Sequence, residues 1–294
     1  MMESVISELF VGLTNGGVPA LLLKGAGTAR WLYDRVPERA YNDIDLLVAP
    51  EAWDSAHGIL ETLGFVTDVG QATSHHDVLI RSGSVPVCVE LHRSLIMLGA
   101  PPRMVWEQLS ADADRVMIGG VPVSVPAPPA AALIVALHAV QHGVAAGRPI
   151  RDLVRATERV DDDVWRDAAA LAESLEAGST FAFGLRLIPT GRQLASRLKL
   201  TEGPVTRDVY LRGMASPETA LGWDRLTNLR GLQPRLALLA DELVPARSAM
   251  LTWKPIARRG RWGLAVAYAW RPLWLLTKLP RGVVAVHRAE TRRR

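Results

Sequence analysis

A single cysteine in 294 residues excludes an internal disulfide and a thiolate metal cluster. Cys88 lies in the apolar run Val87-Cys88-Val89 and reads as a core residue of a cytoplasmic protein. The start, Met1 to Leu9, carries Glu3 and Glu8 and lacks the basic opening and apolar run of a secretory signal, so no cleavage is expected. Gly-x-Ser-x-Gly, His-Glu-x-x-His and Cys-x-x-Cys are all missing, which removes the sequence basis for a serine hydrolase or a zinc enzyme. There is no internal repeat and no long low-complexity stretch. What remains is an ordinary globular composition, 49% hydrophobic and 22% charged, on a chain long enough for one large domain or two smaller ones.

Acids are scarce where the chain ends. From Arg247 onward twelve Lys or Arg stand against Glu290 alone, a local +11 in a chain of net +4, so residues 1–246 sum to −7. The basic character belongs to the tail, and the acidic remainder would repel a phosphate backbone, which argues against tRNA or DNA as substrate. The tail also lacks a long apolar run: Trp262 to Trp270 spans nine residues before Arg271-Pro272, against about 20 for a membrane-crossing helix. Trp262, Tyr268, Trp270 and Trp274 beside Arg258, Arg259, Arg261, Arg271 and Lys278 would suit peripheral contact with anionic lipid. Docking on the helical part of an oppositely charged body is the favoured expectation.

Apolar spacing predicts a helix over 3–14, stopped by Asn15-Gly16-Gly17, then a short strand over 19–23 that turns through Gly25 to Gly27 into a second helix reaching Trp31 and Tyr33. Strands follow at 43–48, 76–81 and 85–92, with a helix from Pro50 to about Leu63 and a hairpin over 115–125 around Gly119-Gly120. After Pro126-Ala127-Pro128-Pro129 only helical periodicity remains, at 130–142, 149–160, 162–176 and 180–199. The fold class is therefore α+β: a mixed sheet flanked by helices, then an all-helical part. The expected division is 1–126, 127–246 and a basic, Trp-rich segment 247–294.

Asp43-Ile44-Asp45 places two carboxylates on one face of a strand whose continuation, Leu46-Leu47-Val48, is buried. Such close acids repel each other and stay ionised readily only with a cation between them; oxygen donors with no His or Cys partner suit Mg²⁺ or Mn²⁺ rather than zinc. Alone, Asp-x-Asp also describes a solvated strand edge. A third acid, Glu90, interrupts the apolar run 87–91; it reads as the third ligand, against the alternatives of a salt bridge to an arginine such as Arg93 or an exposed face on an edge strand. His92, two residues on and on the same face, is positioned to contact phosphate, to orient Glu90, or simply to be a satisfied structural histidine. His75-His76 admits two readings, a lining of the cleft or an exposed loop, and the exposed loop is expected. Lys24-Gly25-Ala26-Gly27-Thr28 follows a buried strand and opens a helix, where bare backbone N–H groups admit an anion. It is neither a Walker loop nor the dinucleotide fingerprint, since Arg30 stands where the third glycine belongs.

The order of a Gly-x-Gly turn, Asp-x-Asp on the next strand and a lone acid on a later one resembles the nucleotidyltransferase fold shared with DNA polymerase β. Leu23-Lys24-Gly25, Arg39 ahead of Asp43-Ile44-Asp45-Leu46-Leu47-Val48, Glu90-Leu91-His92, and a hairpin followed by a helix bearing His138 and His142 further resemble the bacterial "uncharacterised nucleotidyltransferase" family, whose members often lie in lasso-peptide and other natural-product gene clusters. The separation of Gly25 from Asp43 is longer than in the shortest members of the superfamily.

The resemblance implies attack of a substrate hydroxyl or phosphate on the α-phosphorus of an NTP, with two Mg²⁺ ions held by Asp43, Asp45 and Glu90 as catalytic and metal-binding residues. Lys24, Gly25, Gly27, Arg39 and His92 would bind the nucleotide. ATP-type substrates and a small-molecule or peptide acceptor are implied, with a place in natural-product biosynthesis. Two alternatives share the motif: a toxin-like enzyme acting on tRNA, opposed by the −7 balance, and a non-catalytic nucleotide-binding scaffold, opposed by the intact acids.

Overall fold

A computed structural model describes residues 1–68 and 73–291. They form two compact units, Met1–Gly203 and the segment from Pro204 onward.

In the first unit, α1 (Met2–Asn15) buries Val5, Ile6, Leu9, Phe10 and Leu13, the stripe its spacing predicts. Strand β1 (Ala20–Leu22) runs through Lys24-Gly25 into the short helix α2 (Ala26–Leu32). Strand β2 (Asp43–Val48) is followed by a 3-10 turn at Pro50–Ala52 and then α3 (Trp53–Thr62). Next come β3 (Val66–Thr67), β4 (His76–Arg81), β5 (Val87–His92) and α4 (Pro102–Ser110). Strands β6 (Asp114–Ile118) and β7 (Val121–Val125) make the hairpin, whose turn holds Gly119 and Gly120 at φ +55° and +83°, the left-handed pair a two-residue hairpin loop requires. Five helices complete the unit: α5 (Pro128–His142), α6 (Gly147–Arg159), α7 (Asp162–Ser174), α8 (Gly178–Leu185) and α9 (Pro189–Arg197).

The five-stranded sheet has the order β1-β2-β5-β4-β3, with β2 and β5 parallel and the other pairs antiparallel. Ile44, Leu46, Val89 and Leu91 join α1, α3 and the hairpin in one core. Leu21, Leu23 and Leu47 join a second core with Leu133 and Leu137 of α5, Leu153 of α6, Trp165 of α7 and Phe181 of α8. The passage from strands to helices near residue 126 thus lies inside one compact unit, and the second core bonds sheet to helices.

Three local features depart from the sequence reading. The helix expected over 180–199 is two, α8 and α9, because Pro189 disfavours helical backbone in the residue before it and Ile188 is extended at φ −122°, ψ 154°. Strand β3 has only two residues and no alternation to detect. Helix α4 buries just Val105 and Leu109, too thin a stripe to register as periodic.

The second unit is helical: α10 (Arg207–Gly213), α11 (Glu218–Asn228), α12 (Leu232–Leu243), α13 (Arg247–Trp253) and α14 (Gly260–Thr291). Leu211, Ala220, Val286 and Ala289 form one small core, and Met250, Ala257 and Ala267 another. Arg271 donates to the Glu242 carbonyl and pairs with its carboxylate, while Trp274 meets Trp253 edge-on. The basic tail is therefore integrated with the helices just before it. Among the described residues no helix is long and apolar enough to cross a membrane.

Candidate active site

The parallel register sets Asp45 opposite Glu90 and Leu47 opposite His92. Alternation then puts Asp43, Asp45, Glu90 and His92 on the sheet face that looks toward α5, while Ile44 and Leu46 face the other core. The Leu23 N–H donates to the Asp45 carbonyl, extending β1 along β2 and delivering the Lys24 ammonium to Asp45, Nζ to Oδ1, at 2.7 Å. His92 Nε2 lies 3.3 Å from Asp45 Oδ1 and 3.4 Å from Glu90 Oε2. Asp45, Glu90 and His92 can each present one ligand atom within 4.8 Å of the others. The sequence grouped Asp43, Asp45 and Glu90; the structure draws His92 into the tight cluster and leaves Asp43 beside it, lining the same cleft.

The electrostatics follow from burial and crowding. Burial pushes the Asp43 carboxyl up, and the Asp45 charge pushes it further. Burial acts on Asp45 in the same sense, but Lys24 and His92 reverse it and hold this carboxyl well below the usual range. For Lys24 burial lowers the pKa, yet Asp45, Glu90 and Asp43 more than compensate and raise it. His92 is likewise pulled down by burial and lifted above its ordinary value by Asp45 and Glu90.

The glycine turn is braced from behind. Gly25 sits at φ +62°, where L side chains are strained, and a Cβ there would approach Tyr41 to 3.4 Å. Arg39 donates to the Gly25 carbonyl at 3.1 Å and makes a forked pair with Asp152 of α6, at 2.7 Å for its closest contact. The Tyr33 hydroxyl donates to Asp152 at 2.6 Å, and the Arg155 guanidinium covers the Tyr33 ring at 4.2 Å. Arg39, expected at the triphosphate, is buried and committed to this brace. Gly27 answers a packing need: its missing Cβ would stand 3.1 Å from Val125 of β7.

Two cavities open on the carboxylates, one of about 240 Å³ and one of about 130 Å³. The larger is lined by Lys24, Gly25, Arg39, Asp43, Asp45, His142 and Arg148; the smaller by Glu90, His92, Leu95, Ile96, Ile134 and Leu137, with Thr73, His75 and His76. Lys24 and His138 belong to both and mark the divide. The histidine pair 75–76, expected in an exposed loop, lines the cleft. Burial and then the Lys24 charge depress His138 far below its ordinary value and His142 in the same direction, so α5 offers neutral imidazoles.

Asp152 and Arg148 escaped the sequence reading. The signal for Asp152 was present: it shares the buried stripe Pro149, Asp152, Leu153, Ala156 of α6, and an acid in an apolar stripe demands a buried partner. Arg148 has no such signal.

The solution structure of the antibiotic-resistance factor ANT(2'')-Ia aligns at 17% identity over 60% of this chain and 94% of that one, with a TM-score of 0.44. The crystal structure of ANT(2'')-Ia with adenylyl-2''-tobramycin aligns at 16% identity over 59% and 98%, also at 0.44. A nucleotidyltransferase-like antigenic protein from Paracoccidioides brasiliensis aligns at 18% over 68% and 92%, at 0.40. No curated protein matches the chain. The family model described as uncharacterised nucleotidyltransferase matches residues 1–190, which contain the glycine turn, all three acids and α5 to α8, and the chain belongs to that nucleotidyltransferase family.

Proposed function

We propose that the protein is a Mg²⁺-dependent enzyme that transfers a nucleoside monophosphate from an NTP to a hydroxyl of a small molecule, within natural-product biosynthesis. The observation that carries this reading is the convergence of Asp43, Asp45 and Glu90 on one sheet face beside Lys24-Gly25 at the mouth of two cavities. The donor set fits a hard divalent ion: three carboxylates are opposed by one ammonium, and burial, then the Asp45 charge, push the Asp43 carboxyl up, which a bound cation would offset. Asp43, Asp45 and Glu90 would hold the metal, with His92 Nε2 in reach, and the bound ion would neutralise charge on the reacting phosphate. Lys24 and Arg148 offer cations to the triphosphate in the larger cavity. Arg39 keeps the Gly25 turn in place. Glu90 faces the smaller cavity and accepts the hydroxyl proton, with His92 as the positioning residue that orients it.

The test is label transfer from α-labelled NTPs in the presence of Mg²⁺, with the wild type beside Asp43→Asn and Asp45→Asn. Each substitution removes ligand charge at nearly constant volume, so transfer should fall by about a thousandfold or more. Asp43→Asn should keep the thermal melt, whereas Asp45→Asn also breaks the buried pair with Lys24 and should melt lower, so both are assayed at a temperature where circular dichroism shows them folded. Near wild-type turnover in either variant would overturn the metal-site assignment.

A further inference from the structure

The two cavities differ in chemistry although Lys24 and His138 line both: Asp43 and Asp45 belong to the larger, Glu90 to the smaller. The larger carries the cationic side chain Arg148 in addition to Lys24, its other arginine, Arg39, being paired with Asp152, and suits a polyanion. In the smaller, the wall facing Glu90 is made by Leu95, Ile96, Ile134 and Leu137. Among the described residues lining it, Glu90 is the one acid and Lys24 the one Lys or Arg, and Lys24 is already paired with Asp45 at 2.7 Å. A polycationic group entering there would meet no counter-charge beyond the reacting carboxylate. A phosphate or carboxylate would meet no unpaired Lys or Arg, only the imidazoles of His75, His76, His92 and His138, of which His92 is already held by Asp45 and Glu90. Either would leave a charge unpaired against an apolar wall, which disfavours binding. Gln141 and Thr73 supply polar points that can orient a hydroxyl without adding charge. At about 130 Å³ the space is well under the roughly 300 Å³ at which whole-ligand pockets begin, so it takes only the reacting end of a molecule.

We infer that the smaller cavity is the acceptor subsite and that it receives the uncharged, apolar-bodied alcohol end of the acceptor, presented to Glu90. This rests on the nucleotidyl-transfer reading above. The alcohol oxygen forms a new bond to the α-phosphorus, the α–β phosphoanhydride bond breaks, pyrophosphate leaves, and the hydroxyl proton passes to Glu90.

The experiment is ligand-observed NMR on the full chain with Mg²⁺ and a non-hydrolysable NTP, using cyclohexylmethanol, the diamine 2-deoxystreptamine and glycerol 3-phosphate as probes. Cyclohexylmethanol should bind and the charged probes should not. Gln141→Glu and Ile96→Asp each place a carboxylate in the lining at positions that are only half buried, and should weaken cyclohexylmethanol by about tenfold. Absence of cyclohexylmethanol binding, binding of either charged probe as tight or tighter, or unchanged affinity in both variants would overturn the inference. Calorimetric titration of the same samples with the NTP analogue separates the two levels. Loss of nucleotide binding strikes the transferase reading itself, whereas intact nucleotide binding without cyclohexylmethanol binding strikes the acceptor subsite alone.

Discussion

Lys24 stands where two demands meet. Its ammonium neutralises Asp45 and also lines both cavities. Lys24→Ala should weaken binding of a non-hydrolysable NTP by about tenfold or more, the scale of a lost hydrogen bond to a charged group, and calorimetry reads it directly. Unchanged affinity would confine Lys24 to its ion pair. Tyr33 offers a test with a worked sign. Burial, the hydrogen bond to Asp152 and the charge of Asp152 push its hydroxyl from 10.0 to about 12, against the opposing charges of Arg39 and Arg155. A folded-state value above the unfolded one means that the bond's contribution is fully present below pH 10 and is lost as pH rises through about 12. Tyr33→Phe should therefore be less stable than wild type at pH 8 by about 1–2 kcal/mol, with the gap closing between pH 10 and 12 in urea melts. A gap that widened with pH would contradict the assigned bond.

Among the elements, α6 decides whether the glycine turn is held. Arg39 and Asp152 are 4% and 1% exposed, and a buried pair broken on one side leaves a charge without compensation. Asp152→Ala should cost about 3–5 kcal/mol in a denaturant melt, while replacing both partners, Arg39→Met with Asp152→Leu, should restore most of that stability. The double variant should still bind NTP poorly, since nothing then anchors the Gly25 carbonyl. A double variant as unstable as the single one would deny that the pair is the linchpin. These elements also show what was legible beforehand. Strands β2 and β5 and the hairpin announced themselves through apolar runs and turn glycines, and Asp43, Asp45 and Glu90 stood out because acids interrupt those runs. The histidines of α5 were placed through the family resemblance. The brace was hidden because Arg39 and Asp152 meet only when α6 closes on the turn, and periodicity carries no record of which distant helix supplies a partner. Thr73 was hidden likewise, and nothing in the sequence chose the cleft over a loop for His75-His76: they reach it through the pairing of β4 with β5, whose register puts His76 beside His92.

At the scale of the whole molecule, the family match and the two acid-lined cavities fall within the first compact unit, Met1–Gly203. A chain ending at Gly203 should melt cooperatively and bind the NTP analogue within about threefold of the full protein, a difference well under 1 kcal/mol. A tenfold loss would assign the second unit a direct part in the site. The acidic balance of residues 1–246 belongs with this catalytic part, and the basic excess with α13, α14 and the end of the chain. Burial of the Arg39–Asp152 pair, separated by 113 residues, has a consequence for how the molecule comes into being. The ribosome releases the glycine turn, both aspartates and Glu90 long before it releases the helix that steadies them. Until that helix arrives, the Arg39 guanidinium has no Asp152 to pair with and water must keep it solvated, so the Gly25 turn cannot be braced before α6 has been made.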